Sequence, residues 1–174
     1  YFRDLTADGA RRLFERGKKI AEGAALMTNT TYETEVLSAV WPVRANQTLA
    51  EVIQRNTKLV GMPEWTDGEQ AFARELQQAA ESPVEGLRPH IKPLDGPAEQ
   101  RAPSNDCGDV SWSVPMGRVS FPSNVPNVAF HHWAAGSALA TSVAHKGAVA
   151  GAKALAASIV DLLVDPGLVE QAKK

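Results

Sequence analysis

Eight of the eleven prolines in this 174-residue chain fall between positions 83 and 126. Proline fixes φ and has no amide hydrogen to donate, so helix interiors and central strands are closed to it. Pro83, Pro89, Pro93, Pro97 and Pro103 make residues 82–103 an ordered loop or linker, with room at most for a short edge strand. Pro115, Pro122 and Pro126 place the same limit on residues 114–128. Long regular structure must therefore lie on either side of this middle third.

Before the prolines, Tyr1 to Arg3 reads as a short start that could close a sheet. Thr6 is a suitable N-cap for a helix over residues 7–21, whose Ala10, Leu13, Phe14, Gly17, Ile20 and Ala21 repeat mostly at three- and four-residue steps. Residues 31–43 are rich in Thr, Val, Tyr and Trp and carry Pro42 near their end, which suits an edge strand. Strand, helix and strand in that order fit half of a small α+β domain. Thr48 with Glu51, and Thr66 with Glu69, have capping-box spacing and predict two helices in series. The first ends at Gly61 and Pro63, and the second covers residues 67–81.

After the prolines, Val128-Ala129-Phe130 reads as a short buried strand with His131 at its end, and residues 136–141 read as loop. The strongest helical pattern is residues 144–164, where Ala148, Ala152, Leu155, Ala156, Ile159, Leu162 and Leu163 keep helical spacing. Lys153 and Asp161 interrupt its apolar run, so it reads as a helix of a soluble protein. Pro166 is placed to open a short final helix.

The net charge of -2, with 22% charged and 44% hydrophobic residues, gives no reason to expect nucleic-acid or membrane-surface binding. A single cysteine, Cys107, excludes an internal disulfide framework and points to a reducing, cytoplasmic setting. The opening Tyr1-Phe2-Arg3-Asp4 reads as the middle of a strand, so a fragment of a longer polypeptide is expected.

Candidate chemistry gathers in Asn105-Asp106-Cys107-Gly108-Asp109-Val110-Ser111-Trp112 and in Phe130-His131-His132-Trp133. His131 and His132 diverge if the chain is extended, so one of them could serve as a metal ligand or acid–base group. The plainer reading is a hydrogen-bonded, partly buried imidazole. Asp106 and Asp109 are either site carboxylates or turn formers that bond nearby amides. His145 stands at the start of the long helix and either meets a substrate or simply caps and packs. His90 lies among prolines with no second ligand at metal spacing and reads as surface. The chain contains no His-x-Asp, no His-Glu-x-x-His, no Gly-x-Ser-x-Gly and no phosphate loop.

Residues 21–28 (Ala-Glu-Gly-Ala-Ala-Leu-Met-Thr), 106–112 (Asp-Cys-Gly-Asp-Val-Ser-Trp), 131–133 (His-His-Trp) and 144–147 (Ala-His-Lys-Gly) resemble, in that order, the aminoacylase and carboxypeptidase-type zinc amidohydrolases. The resemblance implies an α/β fold. Residues 1–45 would be the second half of an α+β lid and dimerisation domain. Residues 46–174 would be the C-terminal part of an α/β, metallo-aminopeptidase-like catalytic domain. It also implies cleavage of the amide bond of an N-acyl or N-aroyl amino acid such as p-aminobenzoyl-glutamate. Two divalent metals, zinc or manganese, would serve each full-length protomer. His131 maps to the family's late metal ligand, although His132 stands where a hydroxyl residue is usual. Asp109 and His145 would shape the substrate pocket. The early ligands and a glutamate base would lie before Tyr1, leaving no catalytic residue and an inactive fragment here. Partners implied are a homodimer formed through the lid and, in some cases, a second hydrolase subunit, with neither nucleic acid nor membrane. Two rival readings stand beside this one: a non-catalytic dimerisation or scaffold module, and a cysteine hydrolase using Cys107 with His131.

Overall fold

A computed structural model of the protein describes residues 1–94 and 105–174. Pro97 and Pro103, and with them the end of the expected linker, lie outside the described residues. The described chain forms seven helices: α1 (Ala7–Thr28), α2 (Gln47–Val60), α3 (Asp67–Ala79), α4 (Cys107–Ser113), α5 (Trp133–Leu139), α6 (Ser142–Val164) and α7 (Pro166–Lys173). Among the described residues there is no strand, which overturns the expected α/β class. A strand exists only through a ladder with a neighbour, and the β-prone segments find other partners. Phe2 packs edge-on against Phe14, at 5.7 Å between ring centres, instead of entering a sheet. Residues 30–45 form no regular element, and Trp41, Pro42 and Arg44 bond to side chains of α4. Val128 is buried at 7% exposure while Phe130 is 75% exposed, so the expected buried strand before His131 is a turn.

The chain divides into two compact units, residues 1–46 with 95–116 and residues 47–94 with 117–174. In the first, the Thr6 hydroxyl accepts from the Gly9 amide at 3.0 Å and opens α1 as its sequence suggests. That helix runs about two turns beyond expectation, to Thr28, because Gly23 is tolerated inside it. It stops at Asn29, whose φ of 53° is the left-handed cap that asparagine accepts more readily than most residues.

In the second unit, Leu49, Val52, Ile53 and Asn56 form the buried face of α2. Helix α6 packs along α2 and buries Val143, Ala144, Gly147, Gly151, Ala154 and Ser158, with Val143 entering the core of α3 and α5, Gly147 against Pro122 and Gly151 against Phe121. Gly147 lies so close to the Pro122 carbonyl that a Cβ there would overlap it. The Asn56 amide ties the helix pair together, donating to the Ser158 hydroxyl at 3.3 Å and to Asp161 at 2.7 Å. Arg55 adds an ion pair to the same carboxylate at 2.8 Å. These bonds hold Asp161 below the ordinary aspartate range, with the Arg55 hydrogen bond as the largest cause.

A second core joins Ala73 and Leu76 of α3 to Leu87, Val125, Val128 and the α5 alanines Ala134, Ala135 and Ala138. Burying each valine of that set contributes roughly 1.5–3 kcal/mol. Inside it Gln77 is completely buried, accepting from the amides of Glu85 and Gly86 at 3.0 and 2.8 Å and donating to the Pro126 carbonyl at 2.9 Å. Helix α5 occupies much of what was expected to be loop, since its alanines bury better as a helix face than as exposed coil. Asp165 caps α7 through the Gly167 amide at 2.9 Å, with Pro166 at its first position as expected.

Candidate functional site

The site is built where α2 ends and α3 begins. Gly61, at φ 81°, closes α2, and residues 61–66 pass irregularly to Thr66, the N-cap of α3. Glu69 completes the capping box, its Oε2 accepting from the Thr66 amide at 2.8 Å. The same carboxylate accepts from the Ser142 hydroxyl at 2.6 Å and from Lys146 Nζ at 2.8 Å, so it also anchors the first turns of α6. With only 8% of its surface exposed, Glu69 is pulled down to about 2. The Lys146 bond is the largest cause, followed by Ser142 and the Thr66 amide. Lys146 donates again to the Glu64 carbonyl at 2.9 Å and lies 5.9 Å from the centre of the Trp65 ring. Trp65 is itself fixed, since its indole N–H donates to the Arg88 carbonyl at 3.0 Å.

These contacts frame a cleft of about 690 Å³. Val60, Met62, Pro63 and Trp65 form one wall, while His145, Lys146, Val149 and Lys153 of α6 form the other. His145 is exposed on the cleft, and neither its imidazole nor the Lys153 ammonium bonds another side chain among the described residues. The cleft thus offers an aromatic and aliphatic surface beside two unengaged polar groups, suited to an apolar or aryl body carrying a carbonyl or carboxylate.

His131 is exposed, holds φ at 63° in the turn before α5, and does not line the cleft. Its neighbour His132 caps α5, with Nδ1 accepting from the Ala134 amide at 3.3 Å, and stacks beside Trp133 at 5.4 Å. Among the described residues no three His, Cys, Asp or Glu side chains stand close enough to hold an ion. The described donors therefore do not fit a complete two-metal centre.

Asp109 belongs to the first unit, where the motif around it acts as a clasp. Asp109 Oδ1 accepts from the Trp41 amide at 3.0 Å, and the Ser111 hydroxyl accepts from the Arg44 amide at 2.8 Å. The Trp112 indole donates to the Pro42 carbonyl at 2.8 Å, and its ring meets Trp41 at 5.5 Å and the Arg44 guanidinium at 5.6 Å. Gly108 is buried against the Trp41 carbonyl, where no Cβ fits. The Asp109 bond is long-range, reaching the Trp41 amide 68 positions away, unlike the local bond of a turn former. Cys107, the only thiol, is half-buried in α4.

Sequence reasoning finds Glu69 only as a capping-box member and does not single out Trp65 or Lys153. The Thr66-x-x-Glu69 spacing marks the first of these locally. The donors from α6 come from 73 and 77 positions away and leave no local signal.

No family model matches the chain, and no solved structure matches it. Over 189 aligned positions the chain is 32% identical to one of the subunits of p-aminobenzoyl-glutamate hydrolase from Escherichia coli (strain K12). The match takes in 94% of the chain and 39% of that protein. The chain thus spans about two-fifths of the length of the curated relative it matches.

Proposed function

We propose that this chain is part of an amidohydrolase that cleaves the amide bond of an N-acyl or N-aroyl amino acid such as p-aminobenzoyl-glutamate. The observation that carries the reading is the 32% identity to the p-aminobenzoyl-glutamate hydrolase polypeptide along 94% of the chain. The cleft supports it, because Trp65, Met62 and Pro63 can face an aryl group while His145 and Lys153 meet a carbonyl or carboxylate. The relative is named as one subunit of its enzyme, which fits a companion hydrolase subunit for this chain. A homodimer in a cytoplasmic setting belongs to the same proposal.

Hydrolysis of an amide needs an activated water, stabilisation of the developing oxyanion and a proton for the leaving amine. On this reading His145 donates to the substrate and Lys153 balances its negative charge. The Glu69–Lys146 pair keeps the first turns of α6 seated so that His145 stays on the cleft. Asp109 acts at a remove, by holding residues 41–44 in place. A divalent zinc or manganese would supply Lewis acidity, and within this chain His131 is the proposed donor. Since the described donors do not complete a centre, no step is assigned to the metal.

The test uses the protein at its native length and compares metal content and hydrolysis of p-aminobenzoyl-glutamate in three variants. His131→Ala should lose bound metal and activity together. His145→Ala should retain metal and lower kcat/KM by about tenfold or more, equivalent to one lost polar contact of roughly 1.4 kcal/mol. His132→Ala should cost stability through the α5 cap and leave metal in place. Full metal content in His131→Ala, or loss of metal only in His145→Ala, would remove the ligand assignment. A protein that binds no metal and hydrolyses no amide would be the scaffold module instead.

A further inference from the structure

Three charged side chains line the cleft: Glu64 on the connection from α2 to α3, and Lys146 and Lys153 on α6. Lys146 is committed to Glu69 at 2.8 Å and to the Glu64 carbonyl at 2.9 Å. Glu64 and Lys153 are both exposed, and among the described residues neither side chain has a hydrogen-bond or ion-pair partner. The cleft therefore keeps one free carboxylate and one free ammonium, on opposite walls, together with the surface of Met62, Pro63, Trp65 and Val149. The wall that carries Glu64 is held in place before any ligand arrives. Trp65 is anchored to the Arg88 carbonyl at 3.0 Å, and the Lys146 bond fixes the Glu64 backbone against α6.

These two charges decide which half of an N-aroyl amino acid the cleft suits. A half such as glutamate brings two carboxylates, of which Lys153 would meet one while Glu64 repelled the other. An aromatic acyl half brings one carbonyl or carboxyl group for Lys153 and a ring for Trp65. At the ring's other end stands a carboxylate, which only accepts hydrogen bonds. It favours a substituent that donates one over a bare ring, and it repels a substituent that is itself negative. We propose that the cleft takes the aroyl half of the substrate and that Glu64 determines its specificity, accepting from an amino group on the ring while Lys153 faces the acyl end. The ligand class is an aminoaryl carboxylate. The inference rests on the hydrolase reading for its substrate, and it adds which half enters the cleft and which residue selects it.

Equilibrium binding of three small acids to the protein at its native length tests this without hydrolysis. Calorimetric titrations with p-aminobenzoate, benzoate and terephthalate, which carry a donor, nothing and a second carboxylate on the ring, give the order of affinity. The parent should bind p-aminobenzoate about fivefold or more tighter than benzoate, and terephthalate weakest. Glu64→Met should bring p-aminobenzoate down to the level of benzoate and leave benzoate unchanged. Glu64→Lys should reverse the order and make terephthalate the tightest of the three. Lys153→Met should weaken all three by about fivefold or more and keep their order. A preference for p-aminobenzoate that survives in Glu64→Met would overturn the proposal, since the amino group is then read elsewhere. Saturable binding of none of the three would overturn it too. So would displacement of the ring acid by L-glutamate, which assigns the cleft to the amino-acid half. Failure of the hydrolase reading is seen separately: the predicted order of binding with no amide hydrolysis would sink that reading and leave Glu64 as the selector of an aminoaryl acid.

Discussion

Glu69 shows how much one side chain can carry. It serves as the third helical residue of α3 and also accepts from Ser142 and Lys146 of α6. Its carboxyl is held at about 2 against an ordinary 4.5. A carboxylate depressed on folding adds stability that is fully present above its unfolded value, and the gain is lost as pH falls through the folded value. Glu69→Gln should therefore cost about 1–2 kcal/mol at pH 7, with the exposed side of Lys146 screened by water. In urea titrations the gap to the parent should shrink between pH 4.5 and 2 and vanish below that. A gap independent of pH would mean that the charge is not what matters. Gln77 makes a different demand, because it is fully buried and bonds Glu85, Gly86 and Pro126. Gln77→Ala should cost about 2–4 kcal/mol by leaving those backbone groups unpaired. Neither partnership is local, and this explains why the sequence shows a cap at Glu69 and nothing special at Gln77.

At the scale of elements, caps and long periodic faces are legible in the sequence and short elements are not. Thr6, the Thr66–Glu69 box, Gly61 and Pro166 all do locally what their types suggest. Thr48 does not open its helix, because α2 already begins at Gln47. Helices α4 and α5, seven residues each, are too short to show a period, and only burial of Gly108 and the α5 alanines reveals them. The extended segment before α2 reads as strand because composition reports fitness for a pleated surface and not the presence of a neighbour. Its real neighbour is the Gly108-Asp109-Val110-Ser111-Trp112 clasp. Gly108→Ala should push the Trp41 carbonyl away and separate Trp41 from Trp112. This should change tryptophan fluorescence while leaving helical circular dichroism nearly intact. An unaltered emission spectrum would show that the clasp tolerates a methyl group.

For the whole molecule, the described donor set is too small for a metal centre, and the chain matches two-fifths of the length of one relative named as a hydrolase subunit. The sequence resemblance reaches the hydrolase reading from short motifs and implies a substrate contact for His145, a residue that lines the cleft beside Lys146. It overreaches on the fold class, since the described chain is helical throughout its regular elements. For Asp109 it implies a place in the substrate pocket, and the bond the structure shows there is to the Trp41 backbone amide. Release of glutamate from p-aminobenzoyl-glutamate, measured for the protein at its native length and for the 174-residue chain alone, tests the hydrolase reading most directly. Turnover by the first that chelation abolishes, and none by the second, is the expected result. Turnover by the 174 residues alone, or no hydrolysis of N-aroyl amino acids by the native-length protein, would contradict it.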